Sequence, residues 1–185
     1  MAASARESIM SVASSLFAQQ GYRAIGVDTI IAQSGVAKAT LYRHFPSKDD
    51  LIAAYLEDVN RLFWEWFEKG VEAYPENPRE QLLEVFRRLQ KMVTSPTCYG
   101  CPFLIAATEF PDPEHPAHKI AVNHKRGLQS RFVDMCQKAG LADPEISASR
   151  LLMYMDGAFM AVRLFGVDNP AKTVVSWVER LIACG

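Results

Sequence analysis

Cysteine and histidine side chains are the groups in this sequence whose types and spacing could support reaction chemistry. Cys98 and Cys101 form a C-x-x-C pair, the spacing of a thiol–disulfide couple or of half a metal site. A second cluster, rich in acids and prolines, contains His115, His118 and His124, whose imidazoles could ligate a metal ion. One interpretation is therefore a helical redox- or metal-dependent enzyme that uses either cluster.

The rest of the sequence does not favour this alternative. A structural zinc site needs four ligands, and the sequence has no second cysteine pair of similar spacing. It also has no glycine-rich phosphate loop, no G-x-S-x-G elbow and no H-E-x-x-H motif. We therefore expect no catalytic residue, no cofactor and no resident metal ion.

Composition places the chain among ordinary globular proteins. Its 185 residues carry 20 Lys+Arg and 21 Asp+Glu, and 49% are hydrophobic, which excludes disorder, collagen and a coiled-coil rod. The sequence has no uninterrupted apolar stretch of roughly 18 residues, as a membrane helix needs, and no signal-peptide pattern. Four cysteines are too few for a disulfide scaffold. We expect a cytoplasmic protein with no membrane partner.

Basic residues are concentrated at the N-terminal end. Residues 1–48 carry five Lys+Arg and two Asp+Glu, whereas the remaining residues carry 15 Lys+Arg and 19 Asp+Glu. Positions 36–48 contain three cations, one histidine and no acid. A small basic end on a mildly acidic body is typical of a nucleic-acid contact.

Apolar residues recur with a helical period along the chain, and no convincing alternating strand pattern appears. Ser4 and Glu7 form a capping box that opens the first helix. Asx–Pro pairs at 77, 143 and 169 mark the starts of later helices, because the Asx side chain caps and proline suits the first helical position. The sequence predicts an all-α fold of about nine helices.

Two short helices, at about 27–34 and 38–44, are joined by Gly35-Val36-Ala37 in the manner of a helix-turn-helix. Glycine suits a turn position of positive φ. An α-helix fits the major groove of DNA, and its N-terminal residues reach base edges. The second helix offers these candidate DNA contacts: Lys38, Ala39, Thr40, Tyr42, Arg43 and His44. Lys48, just beyond it, is suited to a phosphate contact.

Three segments carry a resemblance to a known family. ASSLFAQQGY at 13–22, IIAQSGVAKATLYRHF at 30–45 and SKDDL at 47–51 together resemble the DNA-binding end of the TetR family of bacterial one-component regulators. The match covers about residues 6 to 56. The family often has Ser at the position of Ala37, and Ser or Thr near Gly26, so this sequence lacks two helix caps that relatives carry.

The resemblance implies roles for several residues. The helix at 38–44 would be the recognition helix, with Tyr42 and His44 on DNA-contact positions, and Thr29 and Lys48 would touch backbone phosphates. Residues 1–48 would form the helix-turn-helix domain, and residues 49–185 would form a helical effector-binding and dimerisation domain.

The same resemblance implies a mechanism. A homodimer, paired through its last two helices, would repress transcription by binding an inverted-repeat operator. A small effector, which we expect to be largely apolar, would shift the fourth helix and move the recognition helices out of register.

Large, adaptable side chains in the second domain are the candidates for the effector pocket. An apolar cavity with a few polar groups is the usual small-molecule site. Glu109 and Asp156 lie in apolar runs, where a charge needs a partner, so one of them or His124 is a candidate for a polar ligand contact. The apolar candidates are Phe63, Trp66, Phe67, Phe86, Met92, Phe103, Met153, Phe159 and Met160.

Overall fold

The computed structural model describes residues 4–184, and in that range the chain forms nine α-helices and no strand. The predicted all-α fold is confirmed. None of the described helices is both long enough and apolar enough to cross a membrane. The helices are α1 (Ala5–Gln20), α2 (Val27–Ser34), α3 (Lys38–His44), α4 (Lys48–Val71), α5 (Pro78–Val93), α6 (Pro102–Glu109), α7 (Pro116–Lys138), α8 (Pro144–Phe165) and α9 (Val174–Cys184).

Predicted capping interactions explain several of the helix starts. The Ser4 hydroxyl accepts from the Glu7 N–H at 3.3 Å, and the Glu7 carboxylate accepts from the Ser4 N–H at 2.7 Å, which is the predicted capping box. Asn77 accepts from the Glu80 N–H at 3.1 Å and so caps α5. These side chains satisfy N–H groups that have no partner within the helix.

Two details of the predicted helix starts are wrong. The exposed Asp143 side chain makes no capping hydrogen bond to α8, so its carboxylate keeps its hydration instead. The last segment does not begin directly as an α-helix, because Pro170–Thr173 forms a short 3-10 helix before α9. Asn169 caps that tighter helix by accepting from the Ala171 N–H at 3.0 Å.

The chain divides into two compact units, and both are discontinuous in sequence. The first contains the described residues up to Arg61 together with Pro102–Asn123, and the second contains Leu62–Cys101 and the described residues from His124 onward. The helix-turn-helix therefore shares its unit with α6, which lies far away in sequence. The predicted functional boundary between residues 48 and 49 is a separate division and stays a prediction.

The core of the first unit is built where α1 packs against α2 and α3. Helical spacing brings one apolar stripe of α1 inward, and α2 and α3 each bury an aliphatic residue against it. The beginning of α4 adds a further apolar stripe to the same unit. The buried residues of these elements include Ile9, Ala13, Phe17, Ile30, Leu41, Phe45, Leu51, Ile52 and Tyr55.

Gly35 ends α2 and turns the chain toward α3. Its backbone is left-handed, at φ +68° and ψ 12°, and its N–H donates to the carbonyl of Ile31 at 3.0 Å. A side chain at this φ would be strained, so the glycine predicted for this turn is required by the backbone.

The core of the second unit is aromatic. Phe132 meets Phe67 edge-on at 5.7 Å between ring centroids and stacks on Phe86 at 5.9 Å. At the edge of this core, the Arg131 guanidinium donates to both carboxylate oxygens of Glu68, at 2.9 and 2.8 Å. Such a two-bond pair fixes the relative position of α4 and α7 within this unit more firmly than a single ion pair does.

Asn169 holds three chain segments together in the second unit. Its side-chain amide donates to the carbonyl of Val93 at 2.9 Å and to that of Gly166 at 2.7 Å, and its oxygen caps the 3-10 helix. The residue is buried. The hydrogen bonds to Val93 and Ala171 are therefore shielded from competing water, which makes their loss costly.

Asn169→Ala is expected to lower the free energy of unfolding by about 3 kcal/mol, because it leaves buried backbone groups without partners. Asn77→Ala is the matched control, since it removes an exposed cap and should cost about 1 kcal/mol. Urea denaturation of both variants measures the difference. Equal losses would contradict the role of Asn169.

Candidate nucleic-acid interface

One face of α3 is exposed and polar, while the opposite face is anchored in the core. Leu41 is fully buried and Phe45 is 3% exposed, so they fix the rotation of the helix. This anchoring turns five of the predicted contact residues outward and leaves Thr40 half-buried. The exposed residues are Lys38, Ala39, Tyr42, Arg43 and His44.

The sequence predicts that α2 and α3 lack side-chain caps, and the structure confirms this. Neither Ala37 at the start of α3 nor Gly26 at the start of α2 makes a side-chain capping hydrogen bond. An absent cap costs a helix about 1 kcal/mol, and α3 has only seven residues. The order of α3 therefore depends on the burial of Leu41 and Phe45 more than on its own hydrogen bonds.

Lys38 is paired with an acid on the neighbouring helix. Its ammonium lies 3.1 Å from the Asp28 carboxylate in the first turn of α2, and this interaction raises the pKa of Lys38. Both side chains are largely exposed, so the pair contributes little to stability. Thr29, the candidate phosphate contact beside Asp28, is exposed as well.

Lys48 opens α4 and is only partly accessible. Burial lowers its pKa, Asp49 and Glu109 oppose that shift, and Arg23 adds to it. Ser47 accepts from the Asp50 N–H at 3.1 Å, so the start of α4 is fixed by a cap. A partly desolvated cation at a fixed position suits contact with a phosphate oxygen.

Glu109 has a partner that the sequence did not reveal. Its carboxylate accepts hydrogen bonds from the backbone N–H groups of Tyr22 and Arg23, in the turn between α1 and α2. The charge is thus satisfied within the protein. Glu109 and Phe103 lie in the first unit, whereas the other predicted ligand residues lie in the second.

The apolar ligand candidates of the second unit differ in exposure. Phe67 and Phe86 are fully buried, and Phe159 is 7% exposed. Phe63, Trp66 and Met92 are half-buried. Met153 and Met160, by contrast, are 64% and 41% exposed and lie on the outward face of α8. The assignment of these residues to an effector pocket stays a prediction.

The polar ligand candidates of the second unit lie in different surroundings. His124 is buried against the ring of Phe63, with 4.7 Å between ring centroids, and near Trp64 at 6.2 Å. Burial, with a smaller effect of Lys125, lowers the pKa of His124 to about 3. Asp156 forms a short ion pair with Lys125, so the charge in that apolar run is neutralised.

The two reactive clusters are not arranged for metal chemistry. Cys98 and Cys101 are not joined in a disulfide, and burial raises the pKa of Cys98, which keeps it protonated and weakly nucleophilic. His115 stacks on Phe110 at 4.2 Å, and His118 hydrogen-bonds the Phe110 carbonyl at 2.8 Å. Among residues 4–184, no three His, Cys, Asp or Glu side chains lie where they could hold a metal ion.

A tight glycine turn, a buried anchor and an exposed basic face together define a helix-turn-helix protein of the DNA-binding class. Residues 9–55 match the family model described as bacterial regulatory proteins, tetR family. The chain belongs to the TetR family of transcriptional regulators.

Solved structures and curated relatives agree with this assignment. A TetR-family transcriptional regulator from Streptomyces coelicolor is 32% identical, with coverage of 97% of this chain and 95% of that chain and a TM-score of 0.93. A putative TetR-type regulator from Streptomyces avermitilis is 30% identical, with 98% coverage of both chains and a TM-score of 0.85. The HTH-type transcriptional regulator YjdC of Escherichia coli is 22% identical, over 82% of this chain and 80% of its own length.

These relatives are regulators of transcription, so this chain is a DNA-binding regulator and not an enzyme. The alternative of an enzyme built on Cys98 and Cys101, or on the histidine cluster, is therefore excluded. Members of the family usually form dimers.

The burial of His124 predicts a specific acid sensitivity. As the pH falls from 6.5 toward about 3, the unfolded chain protonates this histidine while the folded chain does not, so the folded state loses up to about 1.4 kcal/mol per pH unit. In His124→Phe this loss should be absent. Urea denaturation between about pH 4 and 6.5 measures it.

His44→Gln, which changes an exposed histidine, is the control. Its unfolding free energy should depend on pH as that of the wild type does. If the unfolding free energies of the wild type and of His124→Phe fall in parallel as the pH is lowered, the buried neutral state of His124 is wrong.

Proposed function

We propose that this regulator is a homodimeric repressor that binds an inverted-repeat operator and is released by a small, largely apolar effector. The observation that carries the operator contact is the anchoring of α3, which turns Lys38, Tyr42 and Arg43 outward together. Two such helices, roughly one turn of DNA apart in a dimer, would read the two half-sites.

Base contacts are assigned to α3 and phosphate contacts to its flanks. Lys38 and Arg43 can donate to guanine, and the Thr40 methyl group can contact thymine. Thr29 and Lys48 belong to the starts of α2 and α4, where they would set the register on the phosphate backbone.

An apolar stripe on α8 supports dimerisation. Ile146, Met153, Met160 and Leu164 recur at intervals of seven and four residues, and each is more than 40% exposed. Such a stripe would be costly on an isolated protein but is suited to a self-complementary two-fold interface. α9 packs against α5 and α8 within the second unit, and the exposed Gly157 on α8 permits close approach of a partner helix.

Effector binding is assigned to the second unit. Phe63 and Trp66 are half-buried there beside the fully buried Phe67, which offers aromatic surface to a small apolar molecule. His124 is neutral near physiological pH because burial lowers its pKa to about 3, so it could exchange a hydrogen bond with an uncharged ligand group.

The operator contact is tested by binding the purified protein to its own upstream intergenic DNA across a salt series. We expect a steep salt slope and preference over a scrambled duplex. Lys48→Ala should weaken binding to every duplex and reduce the slope by about two, one for each protomer of the dimer, whereas Thr40→Ala should change base preference.

Lys172→Ala is the control, because this lysine is exposed and pairs with Asp168 outside the helix-turn-helix. The absence of binding to any duplex at low salt would overturn the repressor proposal. Once an operator is known, the same assay screens small apolar molecules for release.

Dimerisation through α8 predicts that Met153→Glu weakens self-association by about 100-fold. Because the dimer is two-fold symmetric, the substitution buries two unpaired carboxylates in the interface, one from each protomer. Tyr74→Glu is the matched control, since it changes an exposed aromatic residue outside the stripe. Sedimentation equilibrium measures both. A dimer that tolerates Met153→Glu would show that the interface lies elsewhere.

A further inference from the structure

The turn between α1 and α2 is bound by a carboxylate from a distant helix. Glu109, the last residue of α6, accepts from the Arg23 N–H at 2.6 Å and from the Tyr22 N–H at 3.0 and 3.2 Å. Glu109 and Arg23 are 86 residues apart in sequence. Hydrogen bonds from N–H groups to a charged carboxylate are roughly twice as strong as neutral ones.

The other end of α6 is bound to the same turn. The Tyr22 hydroxyl donates to the carbonyl of Pro102, the first residue of α6, at 2.9 Å. Tyr22 is 1% exposed, so neither its hydroxyl nor its ring moves freely. A single residue of the turn is thus hydrogen-bonded to both ends of α6. We call the hydrogen bonds that Tyr22 and Arg23 make to Glu109 and Pro102, at the two ends of α6, the α6 clamp.

Gly21 provides the space that the clamp requires. A Cβ atom at this position would lie 2.2 Å from Oε1 of Glu109, well inside contact distance. Gly21 also has φ +84°, which side chains rarely adopt. The residue that ends α1 is therefore also the residue that lets the carboxylate reach the backbone.

The clamp lies next to predicted DNA contacts. The turn leads directly into α2, whose first turn holds Thr29. The charges of Glu109 and Arg23 both act on Lys48 at the start of α4. Arg23 is held in addition over the ring of Phe110, at 5.4 Å from the centroid. Displacement of the Glu109 carboxylate would therefore affect both predicted phosphate contacts, Thr29 and Lys48.

We propose that Glu109 is a positioning residue for DNA recognition, which holds the α1–α2 turn so that α2 and α3 meet operator DNA in one orientation. It does not contact DNA itself. The folded unit does not depend on it, because Phe17, Tyr22 and Tyr55 pack together through their rings independently of the carboxylate. The proposal rests on operator binding as proposed above.

The test compares specific with non-specific binding. A high-affinity duplex is first selected from a random pool with the wild-type protein, and fluorescence anisotropy then measures its affinity beside a scrambled duplex of equal length. Glu109→Ala should weaken binding to the selected duplex at least tenfold and to the scrambled duplex less than twofold. Glu109→Gln, which keeps an acceptor oxygen, should show a smaller loss in the same direction.

Glu114→Gln is the matched control. It removes the same charge from an exposed glutamate in the loop after α6, where the partner is Lys119, and it should bind both duplexes as the wild type does. All measurements are made well below the unfolding temperature of each variant, as followed by circular dichroism. A purely structural role for Glu109 would reduce binding to both duplexes equally.

Two further measurements separate the possible outcomes. Amide hydrogen exchange by NMR should speed up at Tyr22 and Arg23 in both Glu109 variants. Should Glu109→Ala fail to fold, Glu109→Gln and Tyr22→Phe provide the same comparison. Tyr22→Phe keeps the ring and removes the hydroxyl bond to Pro102, so it should also lower the ratio of specific to scrambled affinity.

An unchanged ratio in the folded variants overturns the role of Glu109 while leaving operator binding intact. A wild-type protein that binds no duplex overturns the proposed function and this role with it.

Discussion

The burial of Tyr22 is the constraint on which the first unit depends. Its ring contacts Phe17, Tyr55 and Phe110, so one residue joins α1, α4 and the segment after α6. A buried phenol must also satisfy its hydroxyl, and the carbonyl of Pro102 does so. One residue therefore provides both packing and a hydrogen bond. The short helices α2 and α3 are stabilised by packing on the core around Tyr22 more than by their own hydrogen bonds.

The helices could be predicted because their signals are local. Helical periodicity, the Ser4–Glu7 box and the glycine at 35 each act within a few residues, and the structure has all three. The prediction at Asp143 was wrong because a capping residue type states only what a side chain is able to do, and the exposed Asp143 side chain makes no capping hydrogen bond. The prediction at the beginning of α9 was wrong for a different reason. Asn169 does cap, but the helix that it caps is the 3-10 segment Pro170–Thr173, and its amide also donates to the distant carbonyl of Val93, which no local signal predicts.

The candidate DNA surface could be predicted for a similar reason, since α3 is a single amphipathic helix anchored by Leu41. The partner of Glu109 could not be predicted, because no periodic or capping signal connects positions 86 residues apart. An apolar residue type likewise does not show whether it is buried. Phe159 is 7% exposed and Met153 is 64% exposed, although both were expected to line a pocket. The exposure of a side chain depends on which other elements pack against it, and that packing is a property of the whole fold.

The pairing of Lys38 with Asp28 affects how salt dependence can be interpreted. When Lys38 leaves the Asp28 carboxylate for a guanine, its charge displaces a cation from the DNA, and the carboxylate that it leaves attracts a cation from solution. The net release of ions at that position is then close to zero, although a new contact has formed. The number of ions released on binding would therefore undercount the cations at the protein–DNA surface by about one per protomer.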